Sequence, residues 1–145
     1  MSKSAVAGAI MLAGMLAITA ASQTGATGTG SAAKPTASVA RGKYLVLNVG
    51  ICGGCHTPMD KKGQPIKGQA LQGAPLTIKP TAPVPGWMAI APGIAGLNGW
   101  TDEQGVEFFT TGKKPDGSMA APPMPAYRFN KADATAVVAY LKSLK

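Results

Sequence analysis

An all-α fold, built from short helices and long loops, is predicted by three features of the sequence. Near the C-terminus Ala134, Val137, Val138 and Leu141 recur at i, i+3, i+4 and i+7, one face of an amphipathic helix. Thr101 and Gln104 have the spacing of a capping box that opens another helix. The 145 residues include 19 glycines and 12 prolines, a density that favours turns over long regular elements. Alternating strand-like runs are missing. Aromatic residues make up only 6% of the chain, so large core side chains are scarce.

In chain order, residues 1–21 read as a signal peptide or N-terminal anchor. Lys3 is followed by an uncharged, mostly apolar run from Ala5 to Ala21, and small residues close it. Residues 22–37 are mostly Gly, Ser, Thr and Ala, with Gln23, Lys34 and Pro35 among them and hardly a large apolar side chain. Such a stretch cannot offset its ordering entropy by burial, so it reads as a flexible linker. Residues 38–145 form the folded domain. Ser38 is expected to cap a first helix that carries Val39, Leu45, Val46 and Val49. The helix opened by Thr101 runs through Val106, Phe108 and Phe109, with Gly112 as its stop. Asn130 caps the last helix, with Asp133 in its first turn. Between residues 63 and 100, Pro80, Pro83 and Pro85 argue against both helix and central strand. So long an irregular stretch suits a domain wrapped around something large that is not protein.

Cys52-Gly53-Gly54-Cys55-His56 carries the chemistry. Positions three apart share a helix face, and the next residue adds a ligand beside them. Two thiols can each add to a vinyl group of a haem while His56 Nε2 takes the iron, so C-x-x-C-H is the attachment spacing of haem c. One covalent haem would supply the apolar mass that the sequence lacks. Two cysteines cannot build a disulfide framework. With a single histidine, the chain cannot complete a four-ligand structural zinc site. A redox dithiol would need a thioredoxin-like βαβ setting. A three-ligand catalytic zinc would need an acid or base nearby, and Asp60 is the only acid before Asp102.

His56 leaves a sixth position on the iron. Methionine is the usual partner where no second histidine exists, and it raises the reduction potential. The candidates are Met59, Met88, Met119 and Met124. Met59 is too close to His56 to reach the distal side. Met124 is preferred, because Pro122, Pro123 and Pro125 stiffen the backbone around it. Met119 and Met88 follow, each also readable as a gap-filling methionine.

Taken together, the Cys52 to His56 motif with Thr57-Pro58, the run from Gly93 to Thr101, Pro123-Met124-Pro125-Ala126-Tyr127, and the helix from Asp133 to Leu144 resemble a class I c-type cytochrome. The likeness is greatest to the single-haem domains in cytochrome subunits of periplasmic dehydrogenases. It implies an all-α class I cytochrome c fold, with short helices and Pro/Gly-rich loops wrapped around one covalently bound haem. It implies Cys52 and Cys55 as thioether anchors, His56 as proximal ligand and Met124 as distal ligand. It also implies a backbone carbonyl on His56 Nδ1, with Pro75 and Pro92 both open. Trp87, Trp100 and Arg128 are candidates for a haem propionate. Dehydrogenase subunits often carry three such domains, whereas this chain has one attachment motif, which favours a small carrier.

The formal charge of +8 fits docking onto an acidic redox partner, with Lys61, Lys62, Lys67, Lys113, Lys114, Arg128 and Lys131 near the haem loops. Solubility is the plain alternative. Nucleic acid is not expected as a partner, because no binding motif or aromatic–basic interleaving occurs. The expected function is a non-enzymatic, periplasmic one-electron carrier. Its donor would be a periplasmic or membrane dehydrogenase, and its acceptor a terminal oxidase or another cytochrome. Membrane contact is expected only if the N-terminal segment is retained. The alternative is a haem protein that binds or senses a gas or peroxide through a labile distal ligand.

Overall fold

The structure, a computed structural model, describes residues 36–144. The expected leader and nearly all of the expected linker lie outside the described residues. No helix among the described residues is long and apolar enough to cross a membrane.

Helix α1 spans Ala37–Tyr44. Its cap is Thr36, not Ser38: the Thr36 hydroxyl accepts from the Val39 amide. A π-helical turn over Leu45–Val49 follows and buries Leu45 and Val46. Val49 is 49% exposed. Helix α2 is a single turn, Gly53–His56, entered through Ile51 with a positive φ of 49°.

The stretch from Thr57 to Trp100 is irregular, as the prolines predict, apart from one small antiparallel pair and a 3-10 turn at Ala95–Leu97. Strands β1 (Ala74–Pro75) and β2 (Ile90–Ala91) pair Ala74 with Ala91 and Pro75 with Ile90. Leu71, fully buried, is the knot of this loop. Its amide donates to Thr57 Oγ1, and its carbonyl accepts from Ile94 and Ala95.

Helix α3 spans Asp102–Thr111. Its capping box is complete: Gln104 N donates to Thr101 Oγ1 at 3.2 Å, and Thr101 N donates to Gln104 Oε1 at 2.9 Å. Such a cap contributes about 1 kcal/mol. Gly112 ends the helix at φ 81°, a left-handed conformation that glycine adopts without strain. Helix α4 spans Lys131–Ser143, capped by Asn130 Oδ1 accepting from Asp133 N. The predicted stripe of Ala134, Val137, Val138 and Leu141 is its buried face.

Helix α4 is the spine of the domain, packing against both α1 and α3. At the crossing with α1 the backbones nearly touch: a Cβ built on Gly42 would lie 1.9 Å from the Ala136 carbonyl oxygen. The exposed pair of Arg41 and Asp133 spans the same crossing and holds the Asp133 carboxyl below its ordinary range. Exposed pairs of this kind contribute little to stability. The core runs through Leu45, Val46, Leu71, Leu97, Phe109 and the inner face of α4.

Candidate functional site

A cleft opens between the helices and the Pro/Gly-rich loop, with a volume of about 480 Å³. That is the size range of cofactor and ligand pockets. Cys52, Cys55, His56 and Met124 all line it. The remaining walls are largely apolar, with Leu97, Trp100, Phe108 and Phe109 on the helical side and Leu76, Met88 and Ile90 on the loop side.

The motif residues come from the short α2 turn. Cys52 is the N-cap residue and its carbonyl accepts from the Cys55 and His56 amides. Cys52 is buried, Cys55 is exposed, and both are free thiols. Burial pushes the Cys52 thiol above its ordinary range, opposed by the neighbouring Tyr127 hydroxyl. His56 is 5% exposed. Its Nδ1 lies 2.7 Å from the Pro92 carbonyl oxygen. A carbonyl only accepts, so Nδ1 carries the proton and Nε2 keeps its lone pair for a metal. This settles the choice between the two prolines. Pro75 sits in β1, whereas Pro92 directly follows β2, so the two-residue pairing delivers its carbonyl to the imidazole.

The methionines separate clearly. Met124 and Met88 line the cleft, and Met119 and Met59 are surface residues in isolated bridges with Lys113 and Pro65. The Met124 loop is tied at several points. Ala120 N donates to Gly112 O, Met124 N to Ala121 O, and Met88 N to Pro122 O. The Pro122–Pro123 peptide is cis.

Trp100 lines the cleft, packed edge-on against Phe108 at 5.3 Å, whereas Trp87 does not line it. Arg128 is likewise absent from the cleft wall: its guanidinium donates to the Thr111 carbonyl at the end of α3. Lys114 lines the cleft and pairs with Asp116. The residue that sequence reasoning missed is Tyr127. It stood in the quoted Pro-Met-Pro-Ala-Tyr run, but its partner is 77 positions away.

The donor set fits a haem. Two free thiols three positions apart and an imidazole with a free Nε2 line one apolar cleft of suitable size. Among the described residues, no three His, Cys, Asp or Glu side chains converge as a metal cluster. The zinc alternative therefore lacks a converged ligand set.

The profile of the Cytochrome c family matches residues 39–145. This chain belongs to the cytochrome c family. It is a class I c-type cytochrome, an electron-transfer protein with covalently bound haem c, and Cys52, Cys55 and His56 fit the attachment motif. The chain is 36% identical over 80 residues to the cytochrome c subunit of a quinone alcohol dehydrogenase from Gluconobacter oxydans, covering 52% of this chain and 16% of that one. The corresponding subunit from Gluconacetobacter polyoxogenes is 31% identical over 118 residues, 73% of this chain and 24% of that one. A fructose dehydrogenase cytochrome subunit from Gluconobacter japonicus is 31% identical over 114 residues, 72% and 21% respectively. The chain thus spans about a quarter or less of the length of these relatives.

Proposed function

We propose that this cytochrome is a periplasmic one-electron carrier with His56 and Met124 as its axial ligands and Cys52 and Cys55 as its thioether anchors. The carrying observation is the Pro92 carbonyl on His56 Nδ1, which fixes the ring and leaves Nε2 for iron in a cleft that Met124 also lines. The bound haem supplies a ferric/ferrous couple. The chain supplies the rest. Pro92 raises the basicity of the imidazole, the apolar walls exclude water, and the tied Met124 loop presents a thioether. Residues 1–21 serve as export leader or anchor and residues 22–37 as tether. Dehydrogenase cytochrome subunits among the relatives support a dehydrogenase as the electron donor; the acceptor in this reading is another cytochrome or an oxidase. The reading leaves the chain without an enzymatic reaction of its own.

The test is haem staining after denaturing electrophoresis of the purified full chain. The band should survive acid–organic extraction and vanish in the Cys52→Ala/Cys55→Ala double variant. A haem that extracts freely would sink the assignment.

Docking is expected to depend on charge. Lys113, exposed in its bridge with Met119 and beside the cleft residue Lys114, should matter most. Lys131, expected near the haem loops, lies instead in the groove between α3 and α4, so charge reversal at Lys113 and Lys114 should slow electron transfer to an acidic partner more than reversal at Lys131. Screening acts over ~8 Å at physiological ionic strength, so stopped-flow rates should fall as salt rises. A flat salt dependence would assign the positive charge to solubility.

A further inference from the structure

We propose that Tyr127 is a positioning residue that locks the distal methionine loop onto the haem-attachment segment. The inference rests on the reading of Met124 as distal ligand.

Tyr127 follows Met124 by three residues, and both line the cleft. Its hydroxyl donates to the Gly50 carbonyl at 2.6 Å. Gly50 closes the π-helical turn and stands two residues before Cys52. The Cys52 sulfur is a neighbour of the same hydroxyl. A methyl on Gly50 would lie 3.1 Å from Cys52 Sγ and 3.3 Å from Tyr127 Oη. One phenol therefore touches both sides of the site: the loop that carries Met124 and the segment that carries the first anchor.

The phenol is itself held. Its ring stacks on Phe129 at 5.2 Å with planes 4° apart, and Phe129 N donates to Phe109 O at the inner end of α3. Burial pushes the Tyr127 hydroxyl above its ordinary range, so it stays a donor across the physiological range. A thioether is a weak iron ligand, and it stays bound only if its loop has nowhere else to go. The Met88–Pro122 hydrogen bond restrains that loop on one side, and Tyr127 restrains it on the other.

Two variants probe the joint from opposite faces. Tyr127→Phe removes only the hydroxyl and keeps the stack. Gly50→Ala, at an ordinary negative φ, pushes a methyl between the hydroxyl and the sulfur. Both are compared with the wild-type ferric full chain by imidazole titration and by the far-red sulfur-to-iron band. Met124→Ala serves as the open-site reference. Loss of a hydrogen bond of ordinary strength should loosen the loop about tenfold. Imidazole should accordingly bind about tenfold tighter to Tyr127→Phe, with Gly50→Ala shifted in the same direction. Thermal unfolding reports separately on any general loss of stability. Should Tyr127→Phe fail to mature, Gly50→Ala carries the test alone. Wild-type imidazole affinity in every variant that matures, beside an opened Met124→Ala, would overturn the role of Tyr127 alone. Wild-type behaviour in Met124→Ala as well would overturn the ligand reading beneath it.

Discussion

Replacing Met124 by alanine is expected to abolish the far-red band of the ferric protein and to lower the reduction potential by on the order of 0.1 V, a fraction of the roughly 0.8 V over which axial ligands set haem potentials. Thioether ligation favours the ferrous state, and water or an open position does not. Met119→Ala should leave both properties almost unchanged, because Met119 is 51% exposed and lies off the cleft wall. Met88→Ala is the sharper comparison. Met88 lines the cleft on a strap hydrogen-bonded to Pro122, so it shares the neighbourhood without the proline-stiffened loop. Potentiometric titration of the three variants ranks them. A band lost in Met88→Ala and kept in Met124→Ala would exchange their roles.

Gly42→Ala is expected to give the largest loss of stability of any single methyl addition in the domain. The new Cβ would meet the Ala136 carbonyl oxygen at 1.9 Å, the Ala136 carbonyl carbon at 2.5 Å and Tyr140 Cβ at 2.8 Å. Two of these atoms are backbone, so no rotamer relieves the clash and α1 must move off α4. Alanine gains about 1 kcal/mol over glycine in helix propensity. Overpacking of a tight crossing costs about 1–3 kcal/mol and sometimes more. With helix backbones as the colliding parts the cost sits at the upper end, for a net loss of about 2 kcal/mol. Gly105→Ala is the graded control. Its Cβ would meet Val138 Cγ2 at 2.7 Å, a side-chain atom that can yield. Denaturant unfolding of the two holoprotein variants should rank Gly42→Ala well below Gly105→Ala. Equal midpoints would contradict a crossing in which the helix backbones set the limit of approach.

Local signals in the sequence located the parts, and long-range geometry decided between candidates. Thr101 with Gln104, Gly112 and Asn130 act within one turn of their own position, so their roles were legible. So was the attachment motif, whose chemistry needs only the spacing of Cys52, Cys55 and His56. The cap of α1 was misplaced by two residues, because Thr36 and Ser38 offer the same hydroxyl chemistry. Pro92 was indistinguishable from Pro75 until the β1–β2 register placed one carbonyl on the imidazole. Trp100 and Trp87 were equivalent as indoles and were separated only by the path of the loop. Lys142 pairs with Asp102 on another helix, 40 positions away, which no local signal announces. The π-helical turn has no composition signal of its own. It buries Leu45 and Val46 and ends at Gly50, whose carbonyl accepts from a tyrosine far along the chain.

The most direct measurement is the visible spectrum of the purified ferric full chain before and after addition of cyanide. A closed His56/Met124 carrier predicts a low-spin spectrum with a far-red sulfur-to-iron band and only slow displacement by the added ligand. A high-spin spectrum without that band, converted at once by cyanide, would contradict it and assign the cleft to binding a small gas or peroxide.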